Sequence, residues 1–243
     1  MTLAAPRDPL QLTGVCFAAG GKPILRDITL TLTEARIGIV GRNGSGKTTL
    51  LRLIAGLIAP TAGAVRIGAL DPARDRKALL TRLGILFQNP DHQILFPTVA
   101  EELQFGLRQI GHPDPAACVT SLLAAEGRSH WAGAATHTLS QGQRHYLCLL
   151  AVLAMAPETI LLDEPLAGLD LPTAQRLTRR LAALPQRLIT ITHDPAAVAD
   201  ADRLIWLEGG CVVGDGTAEA VLAAFKADMA MRGARDADTD LSA

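Results

Sequence analysis

Hydrophobic positions along the chain form short continuous runs that alternate with longer amphipathic stretches. The short runs are rich in β-branched residues, and several are apolar at every position, which is typical of strands buried on both faces. These predicted strands cover residues 10–17, 24–32, 37–40, 65–67, 84–87, 160–162, 188–192 and 204–207. Helical periodicity covers residues 47–55, 116–125, 140–155, 172–183 and 218–229. The alternation predicts an α/β fold with a mostly parallel sheet, and the two early runs predict an antiparallel β flank.

One internal stretch departs from this pattern. Residues 89–137 contain prolines, glycines and short helical pieces but no strand pattern, which predicts a helical insert. Near the C terminus, MRGARDADTDLSA loses hydrophobic periodicity and gains charge. We therefore predict one domain over residues 1–225, with the insert inside it, and a C-terminal tail at 226–243.

Composition and charge narrow the class of protein. With 243 residues, 49% of them hydrophobic, the chain can bury a substantial core. The formal net charge of -1 provides no global positive field for nucleic acid. The four cysteines form no C-x-x-C pair, which favours reduced thiols of a cytosolic protein over a disulfide framework or a zinc site.

Membrane segments and metal clusters are not expected. The longest apolar run, residues 147–156, is about half of the roughly 20 residues that a spanning helix needs. The start, MTLAAPRDPL, has no continuous apolar segment, so we expect no signal peptide and only peripheral or partner-mediated membrane contact. The histidines without metal-ligand spacing, which we expect to be structural or surface residues, are His92, His112, His130, His137 and His145.

A glycine-rich segment, GRNGSGKT at residues 41–48, matches the pattern G-x-x-x-x-G-K-[ST]. It lies between a predicted strand, RIGIV, and an amphipathic helix, as a phosphate-binding loop requires. Backbone N–H groups of such a loop surround phosphate oxygens, and the helix N-terminus adds positive potential. We expect Lys47 to reach the β- and γ-phosphates and the Thr48 hydroxyl to bind Mg²⁺. The predicted nucleotide contacts are Gly41, Asn43, Gly44, Ser45, Gly46, Lys47, Thr48 and Thr49.

An acidic pair follows the strand in TILLDEP. Four apolar residues precede Asp163 and Glu164, so a buried strand would deliver both carboxylates to its C-terminal end, where open α/β sheets bind ligands. Asp163 is suited to the Mg²⁺ shell and Glu164 to polarising an attacking water. Taken alone, such a pair is usually a solvated strand end, but the phosphate loop turns it into a candidate hydrolysis site.

Three further motifs are LSQGQ at 139–143, LAGLD at 166–170 and THD at 192–194. Together with Gln88 and the two motifs above, their types and order resemble the nucleotide-binding domain of ABC (ATP-binding cassette) ATPases, from about residue 10 to 225. Many NTPases share the phosphate loop, whereas the signature LSQGQ combined with THD is far more specific.

The resemblance implies a mechanism and a partner. ATP and Mg²⁺ would bind between two subunits in a head-to-tail dimer, with Lys47 from one chain and Ser140 and Gly142 from the other. His193 would contact the γ-phosphate, and Gln88 would contact Mg²⁺ or the attacking water. The catalytic candidates are thus Glu164, His193 and Gln88, and the metal candidates are Thr48, Gln88 and Asp163. Ser140 and Gln143 also have capping-box spacing, so a plain helix cap is the structural alternative.

Three residues depart from the family pattern. Gln141 replaces the first glycine of the usual LSGGQ, which removes backbone freedom, and we expect activity with altered dimer contacts. The aromatic residue that commonly stacks on adenine would fall near Ala19, whereas strand alternation aims the nearby Phe17 at the core. Tyr146 stands where the family often has arginine.

The segment FQNPDHQ, residues 87–93, resembles a particular branch: the ATPases of energy-coupling factor (ECF) importers and related cobalt and nickel systems. In that branch, nucleotide-driven closure would move the helical insert, and a coupling helix of a membrane partner would lie beside residues 88–102. Ile94, Leu95 and Phe96 are candidate contacts for this partner, with a locally packed loop as the alternative.

The sequence therefore predicts the ATPase subunit of an ECF-type importer, peripheral on the cytoplasmic face of the membrane. Its partners would be a second ATPase subunit, an integral membrane coupling protein (T component) and a substrate-binding membrane protein (S component), without nucleic acid. The transported solute would be a vitamin or a transition metal ion; the short chain favours biotin over cobalt or nickel. The alternatives are a conventional ABC transporter subunit and a soluble ABC ATPase acting on DNA or ribosomes.

Overall fold

The computed structural model describes residues 8–233, so the predicted tail beyond 233 and the first seven residues lie outside it. The strands are β1 (Leu10–Ala19), β2 (Lys22–Leu32), β3 (Arg36–Val40), β4 (Ala62–Ile67), β5 (Leu83–Leu86), β6 (Thr159–Asp163), β7 (Arg187–Thr192), β8 (Arg203–Glu208) and β9 (Cys211–Gly216). The helices are α1 (Lys47–Ile54), α2 (Arg76–Leu79), α3 (Val99–Gln109), α4 (Pro115–Ala125), α5 (Gln141–Ala154), α6 (Leu171–Ala182) and α7 (Ala218–Gly233).

A six-stranded sheet forms the centre of the fold, in the order β5-β6-β7-β3-β8-β9. Strands β5 to β8 in this order are parallel, and β9 pairs antiparallel with β8. Helix α1 packs on one face, and α5 and α6 pack on the other. Both faces are therefore covered, which explains why the predicted strands read as uninterrupted apolar runs and confirms the predicted α/β fold.

The predicted β flank is also present. Strand β1 pairs antiparallel with both β2 and β4 in a separate three-stranded sheet. Its alternating buried residues, such as Leu10 and Leu12, join Leu50 and Leu51 of α1 in the largest hydrophobic cluster. The flank therefore covers the helix that follows the glycine-rich loop.

The stretch predicted as a helical insert contains α3 and α4. Between residues 89 and 137 the structure has helices and turns, with one isolated bridge between Thr98 and Ala135 but no strand. Sequence reasoning did not resolve α3 as a full helix, because Gly106 interrupts its helix-forming pattern. A Cβ at Gly106 would lie 2.8 Å from Sδ of Met155, so close packing against the end of α5 accounts for this glycine.

The C-terminal part differs from the expectation in two respects. Strand β9 was not predicted, although its hairpin turn, Gly209 and Gly210, is a recognised sequence signal; both have positive φ, 55° and 79°. Helix α7 runs to Gly233, so the predicted domain boundary at residue 225 falls inside a helix. Phe225 is buried in the cluster that joins α7 to β8, which explains why the helix continues there.

Tyr146 has a packing role that the family resemblance did not explain. From α5 its hydroxyl donates to the Glu126 carboxylate at the end of α4, and Arg180 of α6 donates to the other oxygen of Glu126 at 2.7 Å. The Arg128 guanidinium lies 4.2 Å from the centre of the Tyr146 ring, and Trp131 meets that ring edge-on. Burial, followed by the bond to Glu126, raises the pKa of Tyr146. This cluster therefore links the insert to α5 and α6.

We expect Tyr146→Phe to lower the free energy of unfolding by about 1–3 kcal/mol, because it removes one hydrogen bond from a largely buried carboxylate. Urea unfolding at neutral pH measures the change. The control Thr120→Val, at an exposed position of α4, should change the free energy by less than about 0.5 kcal/mol. An unaltered unfolding midpoint in Tyr146→Phe would contradict a stabilising role for the hydroxyl.

Candidate functional site

The glycine-rich loop joins the end of β3 to the start of α1. Gly46, the N-cap of α1, has a φ of 101°, and a Cβ at Gly41 would lie 2.1 Å from the carbonyl oxygen of Leu207. These two positions require glycine, the first for its left-handed backbone and the second for its close approach to β8. The loop therefore curls tightly over the N-terminus of an eight-residue helix, a geometry that favours anions.

Lys47 holds its ammonium group over this loop. Nζ donates to the carbonyl oxygens of Gly41 and Arg42 at 2.8 and 2.9 Å. Burial lowers the pKa of Lys47, while the charges of Glu164 and Asp163 oppose that shift. The side chain is therefore a preorganised cation whose present partners are backbone carbonyls.

The acidic pair lies at the C-terminal end of β6. Asp163 is only 7% exposed, and burial, followed by the charge of Glu164, raises its pKa. Glu164 has a positive φ of 47°, which is rare for a residue with a side chain. Strained backbone of this kind persists only where surrounding contacts hold it, and it clusters at functional sites.

Glu164 contacts the histidine of the THD motif directly. Its Oε1 accepts a hydrogen bond from the backbone N–H of His193 at 2.9 Å and lies 2.8 Å from the His193 ring Nδ1. The His193 side chain is 60% exposed, whereas that of Glu164 is 13% exposed. The histidine thus faces the open side of the site and the carboxylate its inner wall.

These groups surround one cleft of about 530 Å³. Its lining residues are Ile24, Asn43, Gly44, Ser45, Gly46, Lys47, Thr48, Thr49, Gln88, Glu164 and His193. Nearly all the candidates for phosphate contact and catalysis therefore meet in one place. Gly41 and Asp163 are buried at its edge and do not line it.

Ile24, on β2, is a lining residue that the sequence analysis missed. The family pattern pointed only to aromatic positions of β1 as the surface that would stack on adenine. Phe17 is partly buried against the core of the flank, in line with strand alternation, and Ala19 is exposed. The sequence does contain a signal for Ile24: it is an apolar residue at the start of the second flank strand, just after the hairpin turn.

The donor set fits a hard divalent cation. Thr48, Gln88 and Asp163 offer hydroxyl, amide and carboxylate oxygens, the ligand types that Mg²⁺ prefers. Ser45 lines the same cleft as Thr48 and Gln88, and its buried hydroxyl makes no hydrogen bond to the residues described. Over residues 8–233 no group of three or more His, Cys, Asp and Glu side chains is arranged to hold a metal, and His145 is buried in α5.

The signature residues lie outside this cleft. Ser140 caps α5 through a complete capping box with Gln143. A Cβ at Gly142 would lie 2.6 Å from Cγ2 of Thr173, so the start of α5 packs against the first turn of α6 in the same chain. Gln141, the departure from the usual glycine, is exposed and sets its amide beside Gly168 of the LAGLD motif. Ser140 is exposed, whereas Gly142 is half-buried against α6.

Comparison with known proteins agrees with this geometry. The family model for ABC transporters matches residues 25–167. The chain belongs to this family and is its ATP-binding cassette, the ATPase that binds ATP and energises transport. Between residues 8 and 233 no helix has the length and apolar character of a membrane span.

Two named relatives and one solved structure indicate which branch of the family this chain resembles. The biotin transport ATP-binding protein BioM of Rhodobacter capsulatus is 50% identical over 90% of this chain and 95% of its own. The energy-coupling factor transporter ATP-binding protein EcfA1 of Caldanaerobacter subterraneus is 36% identical over 87% of this chain and 80% of its own. The structure of cbiO1 from Clostridium perfringens, part of the ABC transporter complex cbiONQ, superposes with a TM-score of 0.78 at 27% identity, covering 93% of this chain and 95% of that one.

We expect Asp163→Asn to raise the thermal stability at neutral pH. Because the folded protein raises the pKa of Asp163, stability falls as the pH rises above the unfolded-state pKa and reaches its full loss above the folded-state pKa; asparagine lacks this charge. In this variant Lys47 still has two negatively charged neighbours, Glu164 and Glu208. The difference in melting temperature should vanish below about pH 3, where the wild-type carboxyl is protonated in both the folded and the unfolded state.

Thermal unfolding at several pH values measures this difference. Asp200→Asn is the matched control, because Asp200 is exposed, and it should change stability little. A variant less stable than the wild type at pH 7 would contradict the inferred burial cost.

Proposed function

We propose that the protein is the ATP-hydrolysing subunit of an ECF-type importer, with biotin as the favoured solute. The observation that carries the ATPase assignment is the meeting of Lys47, Gln88, Glu164 and His193 around one cleft at the sheet edge. Relatives named for biotin transport and for energy-coupling factor transporters support the branch and the solute.

Nucleotide binding follows from the geometry of the loop. The phosphates of ATP occupy the curl of residues 41–48, where N–H groups of the α1 N-terminus and Lys47 offset their charge. Lys47 then exchanges its bonds to the carbonyls of Gly41 and Arg42 for phosphate oxygens. Ile24, the aliphatic residue on the flank side of the cleft, provides an apolar surface for the adenine base.

Hydrolysis uses three residues that line the cleft, Glu164, His193 and Gln88. Glu164 accepts a proton from a water whose oxygen attacks the γ-phosphorus, and the bond to the β,γ-bridging oxygen breaks with its electron pair on ADP. His193 and Gln88 orient the γ-phosphate and the water. Thr48, Gln88 and Asp163 supply oxygen ligands for Mg²⁺, which neutralises phosphate charge when bound.

A second subunit completes the site. Ser140 and Gly142 lie at the N-terminus of α5 outside the cleft of their own chain, with Ser140 exposed. We assign them to the γ-phosphate held by the opposing subunit in a head-to-tail dimer, as the family resemblance implies. A helix N-terminus offers the N–H groups and the positive potential that such a contact needs.

We expect Glu164→Gln to reduce ATP turnover by at least about 100-fold while ATP binding is retained, because the amide keeps the shape of the side chain but accepts no proton. Phosphate release measures turnover, and size-exclusion chromatography with ATP should show a longer-lived dimer. Glu219→Gln, at an exposed position on α7, is the matched control and should behave as the wild type. Turnover equal to the wild type in Glu164→Gln would refute the assignment of the base.

The membrane partner is proposed to dock on the segment that follows Gln88 in the sequence. Leu95 is 68% exposed, one of the most exposed large apolar side chains described. The buried Glu102 carboxylate accepts the N–H groups of Leu95 and Phe96 at 2.8 and 2.9 Å, which pins this loop to α3. Phe96 packs on Phe105, with ring centres 5.1 Å apart. The loop is therefore held in one conformation that presents Leu95 outward.

Of the three candidate contacts, Ile94 is the least available. It is partly buried and packs against two hydrophobic clusters, because the turn at Pro90–His92 directs it inward. The docking surface centres on Leu95, flanked by Phe96. The partners we propose are the T component, which would contact this surface, and an S component that selects the solute. The site of action is then the cytoplasmic face of the membrane.

We expect Leu95→Asp to reduce co-purification with the membrane partner several-fold without changing ATP affinity, because it places a charge in an apolar contact. Affinity purification from gently solubilised membranes of the native host measures this, with bound proteins identified by mass spectrometry. Leu57→Asp, at another exposed leucine after α1, is the matched control and should co-purify as the wild type does.

If Leu95→Asp recovers as much membrane partner as the wild type, the surface around Leu95 is not the docking site. Recovery of two larger membrane subunits without a small solute-binding protein would instead indicate a conventional ABC transporter. Ribosomes or DNA in place of membrane proteins would indicate a soluble ATPase.

A further inference from the structure

Thr192, the last residue of β7, contacts Glu164, the proposed general base. It is 2% exposed and does not line the cleft. Its Oγ1 lies 3.0 Å from Oε2 of Glu164, and the same hydroxyl oxygen accepts the backbone N–H of Asp194 at 3.0 Å. Because the N–H must be the donor in the second bond, the single hydroxyl hydrogen of Thr192 is left for the carboxylate.

The two oxygens of Glu164 are thereby distinguished. Oε2 accepts from the buried Thr192 hydroxyl, whereas Oε1 contacts His193, whose ring faces the open side of the cleft. The backbone of Glu164 has a positive φ, so its side chain leaves β6 from an unusual direction, and the Glu164 N–H donates to the Ile191 carbonyl at 2.8 Å. Thr192 and His193 thus hold the two carboxylate oxygens, and Ile191 holds the backbone N–H of the same residue.

We propose that Thr192 is a positioning residue for hydrolysis: its hydroxyl holds Oε2 of Glu164 so that Oε1 faces the attacking water. This inference rests on the proposed function, since it assigns a partner to the base of that reaction. Thr192 is buried and does not line the cleft, so its route to the reacting groups is through Glu164. Holding a catalytic side chain by a buried hydrogen bond is a recognised requirement for productive geometry.

The central test is Thr192→Val, which preserves the shape of the side chain and removes the hydroxyl. We expect kcat for ATP hydrolysis to fall by about 10- to 100-fold, as the loss of a hydrogen bond to a charged group predicts. The KM for ATP should stay within about two-fold of the wild type, because the phosphate loop is untouched. Thr192→Ser, which keeps the hydroxyl, should restore kcat to within about three-fold of the wild type.

A matched control is available on the same strand. Thr190 lies two residues earlier, so its side chain points to the same face of the sheet, and it lines a separate cavity between α6 and the sheet. Thr190→Val makes the identical chemical change in β7 and should leave kcat and KM unchanged. Equal losses in the Thr190 and Thr192 variants would mean that valine perturbs the strand and would overturn the proposal.

The double variant Thr192→Val, Glu164→Gln separates positioning from packing. If Thr192 acts through the carboxylate, adding Thr192→Val should not lower the residual single-turnover rate of Glu164→Gln further. An additional 10-fold loss in that background, or a wild-type kcat in Thr192→Val alone, would overturn the positioning role. The proposed function fails on other outcomes: a wild-type protein without ATP hydrolysis, or full hydrolysis by Glu164→Gln, each of which also removes the base that Thr192 would position.

Discussion

The parallel register of β6, β7 and β3 is the constraint on which the site depends. Val40 pairs with Thr192, and Asp163 pairs with Ile191, so the three strands end at the same level. The phosphate loop, the acidic pair and His193 each begin where one of these strands stops. Because adjacent parallel strands lie about 4.8 Å apart, side chains at these three strand ends lie close together although they are far apart in the sequence.

Charge burial at this edge defines the chemistry. Lys47 and Asp163 are both nearly inaccessible, and burial shifts the pKa of each toward its neutral form. The opposite charges nearby reduce these shifts, so the site holds separated charges at moderate cost. The carbonyls of Gly41 and Arg42 hold the Lys47 ammonium group in place. The cation is therefore fixed inside the loop by the backbone itself.

Two sets of side-chain contacts connect the helical insert to neighbouring parts of the molecule. The Glu126–Tyr146–Arg180 cluster links the insert to α6, the helix that starts at the LAGLD motif. Glu102 pins the segment after Gln88 to α3. The insert is therefore held both to α6 and to the loop that presents Leu95. Within this cluster Arg180 pairs with the Glu126 carboxylate, whereas Arg128 donates to the Glu126 backbone carbonyl and lies over the Tyr146 ring.

The sequence by itself determined the α/β class, the β flank and the phosphate loop, because apolar runs and glycine spacing are local properties of the chain. It also assigned Asp163, Glu164 and His193 to strand ends, since a buried strand followed by polar residues is readable without a partner. It did not resolve α3, β9 or the full length of α7, whose glycines and polar residues are explained only by neighbours such as Met155 and β8.

Only the tertiary structure decided which side chains contact each other. The pairing of Thr192 with Glu164, the inward packing of Ile94, the place of Ile24 in the cleft and the cluster around Tyr146 all join residues far apart in sequence. No local pattern encodes such contacts, because they follow from strand order and from helix packing across the sheet. Ser140 and Gly142 lie outside the cleft of their own chain, so the fold of one chain does not bring them to the other candidate residues.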